Sequence, residues 1–184
     1  FNVNYMYPMT QAPIGLFYGS STCYTEMAAE TIAARLGEDR VDVYNVAETP
    51  VSLMENYPLL ILGIPTWDYG ELQEDWENCW EALDNVDFSD KTVALFGLGD
   101  QIGYPEWFLD ALGFLWAKVC TLGATTVGFW PVEGFQFSDS KALTADGTHF
   151  VGLAIDEENQ FELTDQRIER WCAQILREFH LDSK

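Results

Sequence analysis

Basic residues are scarce in this 184-residue sequence: 9 Lys and Arg stand against 30 Asp and Glu, a formal net charge of −21. Nucleic-acid binders release counterions with a basic patch, and a chain this acidic repels a phosphate backbone instead. Nucleic acid is excluded as a partner, and the same field disfavours an anionic membrane surface. Long apolar runs are missing too. The longest, at residues 57–64, falls far short of the roughly 20 residues that span a bilayer, so no transmembrane segment is expected. Four cysteines (Cys23, Cys79, Cys120 and Cys172) show no CxxC pair and no histidine at ligand spacing, which argues against a metal site and leaves buried or free thiols. Residues 1–13 hold no Lys or Arg and no apolar core of a secretory signal, so the cytoplasm is the default location. Residues 1–12 lack periodicity and read as an extension or tail ahead of one domain at 13–184.

What is present is apolar and regular. A chain 48% hydrophobic and 15% aromatic escapes disorder and is the right size for one core. Apolar runs alternate with helical spacing: a strand at 13–18, then Thr25, Ala28, Ala29, Ile32 and Leu36 on one helical face ending at Gly37. A second strand follows at 41–44. Residues 57–64 read as a strand buried on both faces. Trp76, Cys79, Trp80 and Leu83 share a helical face, and 91–96 is a fourth strand. Phe108, Leu112, Leu115, Trp116 and Val119 line a helix, 125–129 opens a fifth strand, and Ile168, Trp171, Cys172, Ile175, Leu176 and Phe179 line the last helix. Such alternation predicts an α/β fold, a doubly wound five-stranded parallel sheet with helices on both faces. The polar, glycine-bearing stretch between Trp130 and Leu163, with its own apolar run at 150–154, reads as an insertion that splits the fifth strand.

Ligands bind such sheets beyond the carboxyl ends of the strands, and three loops fall there. Gly19-Ser20-Ser21-Thr22-Cys23-Tyr24-Thr25 opens the first helix, where hydroxyls and free N–H groups converge as a phosphate site requires. A loop rich in Ser and Thr for helix capping is the plainer alternative. The sequence lacks the Gly-Lys-Ser/Thr of a nucleotide P-loop. A cysteine phosphatase loop would place Arg six residues after Cys23, where Ala29 stands. Pro65-Thr66-Trp67-Asp68-Tyr69-Gly70 follows the third strand and offers aromatic faces for a flat ring. Gly97-Leu98-Gly99-Asp100-Gln101-Ile102-Gly103-Tyr104 follows the fourth. It is a poor dinucleotide fingerprint, with GxGxxxG spacing and no acid about twenty residues on; its glycines fit close approach of backbone to a ring edge.

Together these three loops resemble those of bacterial flavodoxins, and the split fifth strand with residues 150–157 resembles the long-chain branch. The resemblance runs from about Ile14 to Phe179. It implies a domain that binds FMN without a covalent bond. Ser20, Ser21, Thr22, Tyr24 and Thr25 would hold the phosphate through hydroxyl and backbone groups. Trp67 and Tyr104 would sandwich the isoalloxazine ring, with Asp100 near its pyrimidine edge. The Asp68–Tyr69 peptide would turn to accept a hydrogen bond from the reduced ring. The sequence departs from the common pattern at Leu98 and at Cys23, where many members have glycine; a positive φ at 23 would strain a cysteine.

The function so implied is a low-potential one-electron carrier, cycling between semiquinone and hydroquinone and passing electrons from a flavodoxin/ferredoxin-NADP reductase to acceptor redox enzymes. A monomer is expected, with no catalytic residues of its own. The acids Glu71, Glu74, Asp75, Glu77, Glu81, Asp84, Asp87 and Asp90 have the character of a solvated face, and on the carrier reading they would dock basic partners. An NAD(P)H-dependent quinone or nitro reductase would need a second substrate pocket. A cofactor-free signalling domain would need an acidic phosphoacceptor pocket after the first strand, where Tyr18-Gly19-Ser20 stands. His149 and His180 are isolated, and Trp76, Trp80, Trp116 and Trp171 sit on apolar stripes that favour core packing.

Overall fold

The computed structural model describes residues 11–182; most of the expected extension lies outside them. Of its last residues, Ala12 is buried and donates its N–H to Asp42 (3.1 Å).

Three strands carry the core. β1 (Ile14–Tyr18), β3 (Leu59–Trp67) and β5 (Thr92–Leu98) are nearly unbroken apolar runs, because helices cover both faces of each and leave no side for water. β2 (Val41–Asn45) flanks β1 and is more exposed, with only Val41 buried, as an edge strand should be. The order is β2-β1-β3-β5, with every main pairing parallel. The position beyond β5 is filled twice. β6 (Thr125–Val127) pairs with Thr92–Ala94, and β9 (Leu153–Ile155) pairs with Phe96–Leu98. Between them residues 128–152 make an excursion that holds a small antiparallel pair, β7 (Trp130–Pro131) and β8 (His149–Phe150). That excursion is pinned by a phenylalanine cluster: Phe135, Phe137 and Phe150 surround Phe108, with ring centroids 5.3–5.7 Å apart.

Right-handed crossovers place α1 (Tyr24–Leu36) and α5 (Thr164–Glu178) on one face, where they pack together, and α3 (Asp110–Thr121) on the other. The chain leaves β1 and β3 in opposite directions, so their carboxyl ends diverge into a crevice.

The structure corrects three details. The helix expected through Trp76, Cys79, Trp80 and Leu83 is not continuous: α2 spans only Glu74–Asn78, and a 3-10 turn at Ala82–Asn85 follows. A single helix would have carried Glu81 and Asp84 in its last turn against the macrodipole. Phe108 precedes its helix, because Leu109 adopts φ 63 and α3 starts at Asp110. The chain after β3 returns antiparallel as β4 (Glu71–Leu72), making a hairpin of what read as a simple loop.

Candidate functional site

A cavity of about 280 Å³ opens over the carboxyl ends of β1, β3 and β5. Thr22, Tyr24 and Thr25 line one end, Pro65, Thr66, Trp67 and Asp68 one side, and Leu98, Gly99, Asp100 and Tyr104 the other. Eleven residues from three loops some forty positions apart thus meet in one place.

At the first end, α1 begins immediately after the loop, so the N–H groups of Tyr24 and Thr25 have no partner within the helix. Ser20 Oγ accepts from Glu26 N (3.4 Å) and serves the next one. Cys23 sits at the N-cap with φ 75 and ψ −15, the left-handed conformation. The strain expected of a cysteine in place of glycine is therefore present.

At the side, β3 runs on through Trp67 before the chain turns at 68–70, and Trp67 keeps 36% of its surface exposed at the mouth. Asp68 (φ 43) and Gly70 (φ 89) make the turn tight. Gly70 packs onto α3 so closely that a Cβ would stand 2.8 Å from Asp110 Oδ2, and Thr66 Oγ1 accepts from Ala111 N–H (3.0 Å). The hairpin is docked on α3 through Thr66 and Gly70, and the other side of its turn is open. Tyr69 points outward, 65% exposed, with its ring edge-on to Tyr104 (6.0 Å) and Trp107 (4.9 Å).

Across the cavity, Asp100 organises its loop by accepting from Gly103 N–H (2.7 Å), Ile102 N–H (3.2 Å) and Asn159 Nδ2 (2.8 Å). Tyr104 OH reaches Asp68 Oδ1 at 3.5 Å, and the nearby Asp68 charge raises the phenol's pKa.

Six expected residues do not line the cavity. Gly97 lies inside β5, where a Cβ would stand 3.0 Å from that of Leu112. Ser20, Ser21 and Cys23 belong to the first loop without lining the cavity, and Tyr69 and Gly70 lie in the hairpin turn. Conversely, Glu157 and Glu158 line the cavity from the short helix α4 (Glu157–Gln160), brought there by β9. Buried Asp156 caps α4 by accepting from Asn159 N–H (3.0 Å), and it takes Gln101 Nε2 (2.7 Å) with its other oxygen. No motif in the sequence marks these residues; the apolar run before them was their one signal.

The family model described as flavodoxin matches residues 16–171. The chain belongs to the flavodoxin family. It is 58% identical to flavodoxin 2 of Escherichia coli, over 90% of this chain and 95% of that one. It is 51% identical to a flavodoxin of Nostoc, over 91% and 98%. The crystal structure of Fusobacterium nucleatum flavodoxin bound to flavin mononucleotide superposes with a TM-score of 0.84 at 35% identity, covering 90% of this chain and 97% of that one. The flavodoxin fold is thus shown by sequence and by shape, and the cavity lies at the crevice that the fold's strand order creates.

Among the described residues no cluster of His, Cys, Asp and Glu suits a metal ion, and no helix is long and apolar enough to cross a membrane. The thiols differ in setting. Burial pushes Cys79 up to about 11 and Cys172 up to about 12, while Cys23 is exposed. Trp76 and Trp171 are fully buried, and the indole N–H groups donate to Gly63 O (2.9 Å) and Gly128 O (2.8 Å). The packing role expected of them holds.

Proposed function

We propose that the chain carries single electrons on one FMN held in this cavity. The observation that carries the reading is the union in one cavity of neutral donors at a helix start and two aromatic side chains, with no base among the lining residues. Thr22 and Thr25 with the free N–H groups of α1 suit one terminal phosphate. Trp67 and Tyr104 suit the faces of a flat ring. The volume stands at the low end of ligand pockets, about 300 Å³, which favours a mononucleotide over FAD. When bound, the flavin supplies two successive one-electron couples.

The chain tunes them by charge. Asp68, Asp100, Glu157 and Glu158 all line the cavity, and each opposes added negative charge there. At ten ångströms through water the repulsion is about 0.4 kcal/mol per carboxylate, or roughly 20 mV for one electron. All four act in the same direction, lowering the second couple. The family's electron-transfer role fits a site without a nucleophile, general base or metal set.

Redox partners such as reductases dock, on this reading, at the acidic face. Glu71, Glu74, Glu77, Glu81, Asp84, Asp87 and Asp90 are all exposed, and they outnumber the bases near them, Lys118, which pairs with Asp84 at 2.6 Å, and Lys91 beside Asp87 and Asp90. Such a field steers encounter with a basic partner. The protein acts as a monomer in the cytoplasm and relies on those partners for catalysis.

The test is the absorption spectrum of the purified protein, release and identification of its pigment, and potentiometric titration. One FMN per chain and two well-separated one-electron couples are expected. Release of FAD, or reduction in one two-electron step, overturns the proposal.

A further inference from the structure

Gln73 stands at the N-cap of α2, only 1% exposed, and its amide makes three contacts. Oε1 accepts from Trp76 N–H (3.3 Å), while Nε2 donates to Asp75 Oδ2 (2.8 Å) and to Ser21 Oγ (3.0 Å). The first two fix the orientation of the amide, since a backbone N–H only donates and a carboxylate accepts. Ser21 therefore always meets a donor. Gly19 leaves room for this arrangement: a Cβ there would stand 2.3 Å from Gln73 Oε1 and 2.7 Å from Trp76 Cδ1. Among the described residues, the Gln73–Ser21 bond is the one side-chain hydrogen bond that ties residues 20–25 to another element.

We propose that Gln73 is a positioning residue for the phosphate-binding loop. Through Ser21 it fixes residues 20–25 against the segment leading into α2, so that the Thr22 and Thr25 hydroxyls and the α1 N–H groups converge on the cavity before any ligand arrives. Gln73 itself does not line the cavity. Neutral donors hold a phosphate only if several reach it together, because no single one supplies the pull of a Lys or Arg. Pre-organisation removes the cost of ordering the loop at the moment of binding. The effect is confined to the phosphate end, since Tyr104 stands on another loop and Trp67, whose hairpin leads into Gln73, is held by the β3–β4 pairing and not by the Gln73 amide.

The inference rests on the FMN reading, and the two fail in different ways. Affinities of the apoprotein for FMN and for riboflavin, which lacks the phosphate, are measured by quenching of flavin fluorescence for the parent, S21A, Q73L and the double variant. The parent is expected to bind FMN far more tightly than riboflavin. S21A and Q73L should each weaken FMN about tenfold, equivalent to 1.4 kcal/mol, and leave riboflavin within about twofold. The double variant should be no weaker than Q73L, since both substitutions remove the same bond. S21A changes only one exposed hydroxyl and remains testable if Q73L does not fold, and a tenfold loss in S21A with none in Q73L overturns the proposal, because the Ser21 hydroxyl then acts on the phosphate directly. An unchanged ratio of FMN to riboflavin affinity in S21A overturns the proposal, as does equal loss for both ligands, the mark of a purely structural role. A parent that binds neither flavin refutes the FMN reading instead.

Discussion

Replacing Cys23 by glycine should stabilise the protein. Cys23 holds φ 75 at the N-cap of α1, a conformation that costs an L-residue about 1–2 kcal/mol and glycine almost nothing. Against this gain stands the greater freedom of glycine in the unfolded chain, about 0.5–1 kcal/mol. The thiol itself is exposed and makes no hydrogen bond as a cap, so its loss removes little packing. The net expectation is about 1 kcal/mol of added stability, or 2–4 °C in Tm for a chain of about this size. Cys23→Ala provides the control, because it deletes the sulfur and keeps the Cβ that creates the strain. Thermal unfolding of the two apoproteins, followed by circular dichroism under reducing conditions, should place C23G above C23A by those few degrees, with C23A close to the parent. If C23G melts at or below C23A, backbone strain is not what position 23 stores.

Gly70→Ala should act oppositely. It combines φ 89 with a Cβ 2.8 Å from Asp110 Oδ2, so a loss of more than about 1 kcal/mol is expected in urea unfolding, and an unchanged midpoint refutes the tight docking of the hairpin on α3. Thiol labelling at pH 8 should modify Cys23 first and leave Cys172, pushed up to about 12, protected until the fold opens; early labelling of Cys172 contradicts its burial beside α1. Thr148 N–H and the hydroxyls of Thr144 and Thr148 hold Asp146 down to about 2. A carboxyl depressed in the folded state adds stability above its unfolded pKa, and that contribution disappears as pH falls through about 2. Carbon-detected NMR titration should show Asp146 still ionised at pH 3, and a midpoint near the usual 3.9 would remove the turn from the account.

The core was legible because its signal is periodic. β1, β3 and β5 announce themselves as unbroken apolar runs, and the α5 stripe of Ile168, Trp171, Cys172 and Ile175 is buried as its spacing requires. Trp76 and Leu83, seven residues apart, fit one side of a helix, yet they are equally well buried by a short helix, a bend and a 3-10 turn. Spacing could not separate these two solutions; the acids between the anchors could have. The cavity was legible in outline, since each loop follows a recognisable strand. Its supporting bonds were not. Gln73 to Ser21 joins residues 52 positions apart, and Gln101 to Asp156 joins residues 55 apart. Polar pairs of that separation leave no period in the sequence, and only the folded topology brings them together. Glu157 and Glu158 were hidden for the same reason, because their place depends on β9 resuming the ladder that β6 leaves off.

That interrupted ladder also bears on edge-to-edge association at high concentration. A sheet margin with a long straight row of free amide and carbonyl groups is a template on which another copy can zip, and proteins protect such margins by breaking them up. Here the outer row past β5 consists of two pieces of three residues each, Thr125–Val127 and Leu153–Ile155, separated by 25 residues that leave the sheet. A second chain approaching that margin meets too few consecutive partners to nucleate a fibril-like stack, and a net charge of −21 on each molecule adds repulsion to the poor fit.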